Sequence, residues 1–211
     1  MIHAEPVDRP TRRRQQSVDA WLDAALDLVA DGGLSGLTIK GLAARVDRSV
    51  GAIYRYFPSK DALIVAMGAR VLDDLAERLD RTTGKDPVAR TLAMVGEYVA
   101  LAEREPSRFG LIQALVGEPR QLLDGEHADA VADAMRGLLG RVALDLEAAA
   151  QAGLLQTGDA AARTVQLWAG IHGVLQLRKF GRFDDRMARL TPLALDLAST
   201  LLRGWAAPET P

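Results

Sequence analysis

The chain has 211 residues, a formal net charge of −2, 48% hydrophobic residues and no cysteine. That length and apolar content support a sizeable core, while the lack of cysteine excludes disulfides, thiolate zinc sites, iron–sulfur clusters and cysteine nucleophiles. Aromatic residues make up only 5%, and alanine and leucine abound, so intrinsic propensity favours an all-α protein, and the lack of cysteine makes the cytoplasm its expected compartment.

The opening stretch, MIHAEPVDRPTRRRQQSVDAW, holds basic residues with no apolar stretch behind them. No later segment has the uninterrupted apolar run that a bilayer span needs, so neither export nor membrane insertion is expected. Residues 1–11 carry two prolines and no periodicity and are expected to form a flexible arm, with Arg12, Arg13 and Arg14 at its junction to the fold. From there to Ala30, Trp21, Ala25, Leu28 and Val29 recur at helical spacing, with Asp19, Asp23 and Asp27 turned away. Asp31 to Gly33 ends this first helix as a glycine cap. Thr38 is placed to cap a second helix, with Ile39, Leu42 and Val46 on its inner face. Asp47 and Arg48 form a very short break. Ser49 then caps a third helix reaching about Tyr56, with Val50, Ile53 and Phe57 at spacings of three and four. Pro58 and Ser59 end it and start a fourth, from Lys60 to about Arg81. Further helices are expected at 86–104, 106–117, 126–152, 159–180 and 184–205, separated by segments rich in Gly, Pro, Asp and Ser. Nothing reads as a strand.

Two short helices joined by a minimal turn and braced by a longer one describe a helix-turn-helix, whose second helix can lie in the major groove of DNA. Ile39, Leu42, Val46 and Ile53 would lock the pair together. Ser49, Val50, Ala52, Tyr54, Arg55 and Tyr56 would then form the outward face and its edges. Ser49 and Thr38 offer hydroxyls and helix N-termini to phosphates. Tyr54 and Tyr56 suit phosphate contacts, and Arg55 suits a phosphate or a guanine edge. Ala52 and Val50 present methyl groups that could meet thymine, Gly51 allows close approach, and Lys60 opens the fourth helix where a phosphate could lie. Basic residues outnumber acidic ones over residues 1–60 and the reverse holds beyond, the direction expected of a front end that meets a polyanion. Short helix pairs also occur in proteins that never touch DNA, where Tyr54 would simply pack.

The segment LTIKGLAARVDRSVGAIYRYFPSKDAL closely resembles the DNA-binding signature of TetR-family transcriptional regulators. In that family a helix-turn-helix is followed by a tyrosine, an aromatic pair and an F-x-x-K-x-x-L entry into the fourth helix. The matching residues are Tyr54, Tyr56 with Phe57, and Phe57, Lys60 and Leu63, and the resemblance spans about residues 15–65. It implies a DNA-binding domain over 12–58 and a larger helical domain over 59–211 that dimerises and binds a small molecule. Arg14 and Arg48 join the DNA-binding candidates. Three departures stand out. Asp47 occupies the turn position where the family usually has glycine, and Asp tolerates a left-handed conformation better than most residues. Arg48 replaces a small apolar residue, so its side chain must leave the core for a phosphate or for solvent. Val50 stands where a polar residue is common.

The resemblance continues more weakly in EPSRFGLI and LWAGIHGVLQLRKFG, with Trp168, His172 and Gly173 at positions typical of one C-terminal subgroup. Trp168 and His172 share a helix face, and Ala169 with Gly173 forms a small-residue strip that permits close helix crossing. His172 reads either as a polar group in an apolar pocket or as a hydrogen-bonded core histidine. Met94, Tyr98, Phe109, Ile112, Gln113, Trp168 and His172 are the expected lining of a ligand site, and their balance favours a largely apolar effector. Broad apolar faces on the last two helices predict a homodimer, with Ala169, Gly173, Leu193, Leu197 and Leu201 at its interface. A two-fold dimer suits a palindromic double-stranded DNA operator.

Enzymes are the first rival class. The three histidines, His3, His127 and His172, lack the companions of a metalloprotease, and no glycine-rich phosphate loop or serine-nucleophile motif occurs. No catalytic residue, metal or cofactor is expected, and the carboxylates of DDLAERLD read as a solvated charge run. The second rival is a helical protein-interaction module without sequence-specific DNA binding.

Overall fold

The computed structural model describes residues 9–117, 126–180, 183 and 190–208, with side chains for 16–115, 129–178, 183 and 190–208. Among the described residues there are nine α-helices and no strand. They are α1 (Arg9–Gly36), α2 (Ile39–Arg45), α3 (Val50–Tyr54), α4 (Lys60–Asp80), α5 (Pro87–Arg104), α6 (Pro106–Gly117), α7 (Glu126–Gln151), α8 (Ala160–Gln176) and α9 (Thr191–Gly204). A 3-10 turn, Leu177–Phe180, continues α8. No described helix is long and apolar enough to cross a membrane.

Most boundaries agree with the spacing of caps and breakers, and the exceptions have local causes. α1 begins at Arg9, inside the expected arm, and is interrupted at Gly33, whose φ of 68° only glycine adopts readily. The third helix ends at Tyr54, not Tyr56, because Pro58 supplies no N–H and drives Phe57 out of the helical region. α8 keeps regular geometry only to Gln176. The last helix starts at Thr191, with Pro192 in its first turn, and the expected start at 184 lies outside the described residues.

One apolar core runs through the molecule. Trp21, Leu22, Ala25, Leu26 and Val29 of α1 pack with Leu42, Ile53 and Phe57, and the same cluster continues through α4 into α5 to α9. The helix-turn-helix is therefore joined to the rest without a solvent gap at residue 58. α4 is the shared element: it packs on α1, α5 and α6, and most extensively on α7. Gly68 lets α6 approach, since a Cβ there would lie 2.1 Å from Leu115 Cδ1.

A polar seam follows the same joint. Arg70 of α4 lies 3.4 Å from Asp19 and 3.9 Å from Asp23 of α1, and 3.3 Å from Asp74. Arg108 of α6 pairs with Asp74 and with Glu105, and Glu105 pairs in turn with Arg78 of α4. The DDLAERLD carboxylates are thus not simply solvated: Asp74 belongs to this seam, and Asp80 holds Arg141 of α7. Arg78, the nearest partner of Glu105, holds its carboxyl below the usual range despite partial burial.

Candidate functional site

Local hydrogen bonds fix the geometry of α2 and α3. Thr38 Oγ1 accepts from Gly41 N at 2.9 Å, and Ser49 Oγ accepts from Ala52 N at 3.2 Å. Between the two helices Asp47 adopts φ 51°, the left-handed conformation in which glycine is more usual. Arg48 leaves the core and folds back along the surface, its Nη1 donating to Asp47 O at 2.9 Å. Leu42 and Ile53 are fully buried between the helices, Ile39 is buried beside them, and Val46 is half-buried.

The face turned away from that contact carries most of the expected residues. Val50 is 39% and Tyr54 49% exposed, high for residues of their size. Arg48, Ser49 and Arg55 are exposed and Ala52 is half-buried. A Cβ added at Gly51 would meet nothing within 4 Å, so the middle of α3 is open to close approach. Two residues are engaged elsewhere. Tyr56 packs edge-on against Trp21, ring centroids 5.0 Å apart, with the Arg55 guanidinium 5.9 Å above its ring. Lys60 Nζ donates to Leu34 O at 3.0 Å, tying the start of α4 to the end of α1. Arg14 stands in α1, and its side chain lies outside the described set. Lys40, exposed on α2, is absent from the expectations, although its place as the polar step between buried Ile39 and Leu42 was a readable signal.

The second site lies inside the body. Leu75 and Leu79 of α4, Met94, Val95 and Tyr98 of α5, Leu138, Leu139 and Val142 of α7, and Thr164, Leu167, Trp168 and Ile171 of α8 surround a narrow cleft. None of these lining residues carries a charge. Met94, Tyr98 and Trp168 were expected there. His172 stands one layer behind: it is buried, its Nδ1 lies 2.6 Å from Tyr98 Oη and its Nε2 2.9 Å from Gln176 Nε2. Burial lowers the His172 pKa and raises that of the Tyr98 hydroxyl, a rise that the nearby Trp168 N–H opposes. Phe109 supports both rings from 5.6 and 5.7 Å, and Trp168 stacks on His172 at 5.2 Å. Ile112 is buried in the surrounding core and Gln113 is half-buried, and neither reaches the cleft wall.

The small-residue strip of α8, Ala169 and Gly173, is exposed within the chain. Gly170 is the residue that meets α9, a Cβ there falling 3.1 Å from Leu197 Cδ2, whereas Ala169 and Gly173 face outward. Val165, 52% exposed, extends that outward stripe, and Leu193 of α9 is 49% exposed. Leu197 and Leu201 are half-buried.

Comparison with known proteins agrees with this architecture at both ends. Residues 22–67 match the family model of bacterial regulatory proteins, tetR family, and residues 91–198 match the tetracyclin repressor-like C-terminal domain. The HTH-type transcriptional repressor KstR of Rhodococcus jostii is 34% identical over 85 residues, a stretch that spans only 40% of either chain. Over nearly the whole length, the HTH-type transcriptional regulator Rv0681 of Mycobacterium tuberculosis is 27% identical, covering 93% of this chain and 85% of its own. The crystal structure of FadR from Bacillus subtilis, determined with stearoyl-CoA, shares the fold at a TM-score of 0.66 and 15% identity, covering 87% of this chain and 97% of that one. With the C-terminal model alone matching half of the sequence and the N-terminal model matching the helix-turn-helix, the chain belongs to the TetR family of bacterial transcriptional regulators.

Proposed function

We propose that the protein is a transcriptional repressor that binds a palindromic operator as a homodimer and leaves it when a small, largely apolar effector enters the cleft. One observation carries this reading. A single helix, α4, leaves the helix-turn-helix at Lys60 and lines the apolar cleft at Leu75 and Leu79. Along the helix Leu75 lies about 22 Å and Leu79 about 28 Å from Lys60, at a rise of about 1.5 Å per residue.

In this reading α3 enters the major groove. Val50 and Ala52 meet base edges, Gly51 allows the close approach, and Thr38, Lys40, Arg48, Ser49, Tyr54 and Arg55 contact phosphates. Lys60, with one N–H on Leu34, keeps two more for a phosphate. Tyr56 acts from behind by holding α3 on Trp21. The second copy covers the outward stripe of Val165, Ala169 and Gly173 together with Leu193, Leu197 and Leu201, and the two-fold axis sets the spacing of the recognition helices. An effector between α4, α5, α7 and α8 moves α4, and the Arg70 seam carries that movement to α1. A few kcal/mol of differential affinity between the two arrangements is enough to release the operator.

Fluorescence anisotropy tests the first half. The probes are a duplex from the gene's own upstream region and a scrambled duplex, each at two salt concentrations, with Tyr54→Ala and Arg55→Ala alongside the parent chain. The expected result is tighter, salt-sensitive binding to the upstream duplex. Tyr54→Ala should cost about tenfold, and Arg55→Ala should reduce the salt slope by about one. Uniformly weak binding to every duplex, including those from a genome-wide selection, would overturn the reading.

A further inference from the structure

The polar atoms at the cleft are few, and their hydrogen-bond inventory is unbalanced. Thr164 Oγ1 is already satisfied, donating to Ala160 O at 2.8 Å. Tyr98 Oη and His172 Nδ1 share one bond, and Gln176 closes the other side of the imidazole. His172 is neutral at pH 7, since burial keeps its pKa low, so the ring has one N–H and one acceptor nitrogen. Two proton arrangements satisfy that pair of contacts. When the Gln176 amide N–H donates to Nε2, the ring proton sits on Nδ1 and goes to the Tyr98 oxygen, leaving the Tyr98 O–H without an acceptor. When the amide is turned round, Nε2–H donates to its oxygen and Tyr98 O–H donates to Nδ1.

Neither arrangement provides for Trp168. Its Nε1–H is buried and meets no acceptor at hydrogen-bond distance and angle. The indole is a donor only, and its ring is held against His172 on one side of the cleft. The Trp168 N–H, near Tyr98 Oη but not at hydrogen-bond distance and angle from it, is therefore the donor that the cluster has to spare beside an apolar wall. A donor left unpaired inside a protein is costly, and a guest that brings an acceptor recovers that cost. The lining has no cation to pair with an anionic guest and no carboxylate to pair with a cationic one, and an unpaired charge in such a place is strongly disfavoured.

We propose that the cleft takes a neutral, mainly apolar molecule with a carbonyl-type oxygen, such as a ketone or ester, and that the Trp168 N–H, with Tyr98 beside it, recognises that oxygen. The inference rests on the reading of the cleft as the effector site. The cleft between these side chains is narrow, so the molecule is small.

The test uses three probes matched in the number of non-hydrogen atoms: methyl nonanoate, decanoate and dodecane. Their affinities are measured by equilibrium dialysis at pH 8 on the full chain and on Trp168→Phe, Tyr98→Phe and Leu139→Trp. Trp168→Phe keeps an aromatic ring against His172 and removes only the N–H; Leu139→Trp fills the cleft. Circular dichroism melting of each variant confirms that it is folded. Methyl nonanoate should bind the parent chain about tenfold more tightly than decanoate. Trp168→Phe should weaken the ester by roughly fivefold to tenfold while leaving dodecane within about twofold, and Leu139→Trp should abolish binding of all three. If decanoate equals the ester, or Trp168→Phe leaves the ester unchanged while Leu139→Trp still blocks it, the effector-site reading survives and the recognition of a neutral acceptor is overturned. If no probe binds, or Leu139→Trp leaves binding intact, the effector site itself is misplaced and this inference falls with it.

Discussion

In α2 and α3 the residues of chemical interest are on the outside, and the framework that holds them is local. Thr38, Ser49 and Ser59 each cap a helix by accepting from an N–H three residues on, and Asp47 makes the turn between two of those helices. Around the cleft the arrangement is reversed. Tyr98, Trp168 and His172 face one another inside the body, and what holds them is the packing of α4, α5, α7 and α8, helices distant in sequence. A surface that reads DNA must be exposed and rigid before its partner arrives, which short-range caps achieve. A site for a small apolar guest must instead be a place where otherwise close packing is incomplete. The two regions should therefore respond differently to substitution: the body through stability, the front end through binding.

Arg90→Ala should separate them most sharply. Asp145 of α7 is 0% exposed and takes a bidentate contact from Arg90 of α5, whose own side chain is 47% exposed. Removing the guanidinium strands a carboxylate in the interior, and breaking such a pair costs about 3 kcal/mol. Urea unfolding at pH 7 should show that loss, while the operator affinity of the remaining folded protein stays unchanged. An equal loss of DNA affinity would mean that the regions are not separable in this way.

The joint is the next place to probe. Arg70→Ala removes the contacts to Asp19, Asp23 and Asp74 together. These groups are partly solvated, so the stability cost should be about 1 kcal/mol or less. The larger consequence is expected in coupling: a molecule that binds the cleft should release DNA from the variant less completely than from the parent chain, with its own affinity little changed. Anisotropy titrations at fixed DNA and rising ligand would decide it, and full release from the variant would remove the seam from the mechanism.

That contrast also explains what was legible in the sequence. Caps, the Asp47–Arg48 break and the apolar spacing in α1 to α4 act over a few residues, so the helix-turn-helix and its outward face could be read directly. The cleft could be read only in part. Met94, Tyr98 and Trp168 line it, but Phe109 and His172 form the layer behind, and Ile112 and Gln113 do not reach it. Apart from the half-buried Gln113 these are apolar or aromatic residues on inward faces, and which of them borders a gap depends on how helices remote in sequence meet. The same limit applies to α8, where the role of Gly170 in the crossing with α9 shows only once the two helices are packed together. It applies as well to Lys60, whose bond to Leu34 bridges residues 34 and 60.

A pH dependence should mark the body but not the front end. The unfolded imidazole of His172 titrates near the ordinary histidine value of 6.5, whereas burial holds the folded one lower. Below that value the unfolded chain binds a proton that the folded ring resists. Stability is thus at its full value above that range and falls as pH drops through it. His172→Gln should flatten this part of the profile in urea titrations at pH 5, 6, 7 and 8. The other two histidines are common to both proteins and cancel in the difference, so an unchanged slope would show that His172 does not titrate as its burial implies.

The smallest effect belongs to the turn. Asp47 at φ 51° carries a cost that glycine avoids, but glycine also loses more backbone freedom on folding, and the two terms nearly offset. Asp47→Gly should change stability by only a few tenths of a kcal/mol, a size typical of substitutions with no buried partner. Its effect on DNA should be easier to see, because it removes a negative charge beside the exposed Arg48 while leaving intact the backbone carbonyl to which Arg48 Nη1 is bonded. Operator affinity should rise modestly at low salt and the gain should shrink at high salt, where the screening length is shorter. A gain that persisted at high salt would point instead to a change in the α2–α3 angle, and would show that this turn sets the geometry of the reading surface as well as connecting it.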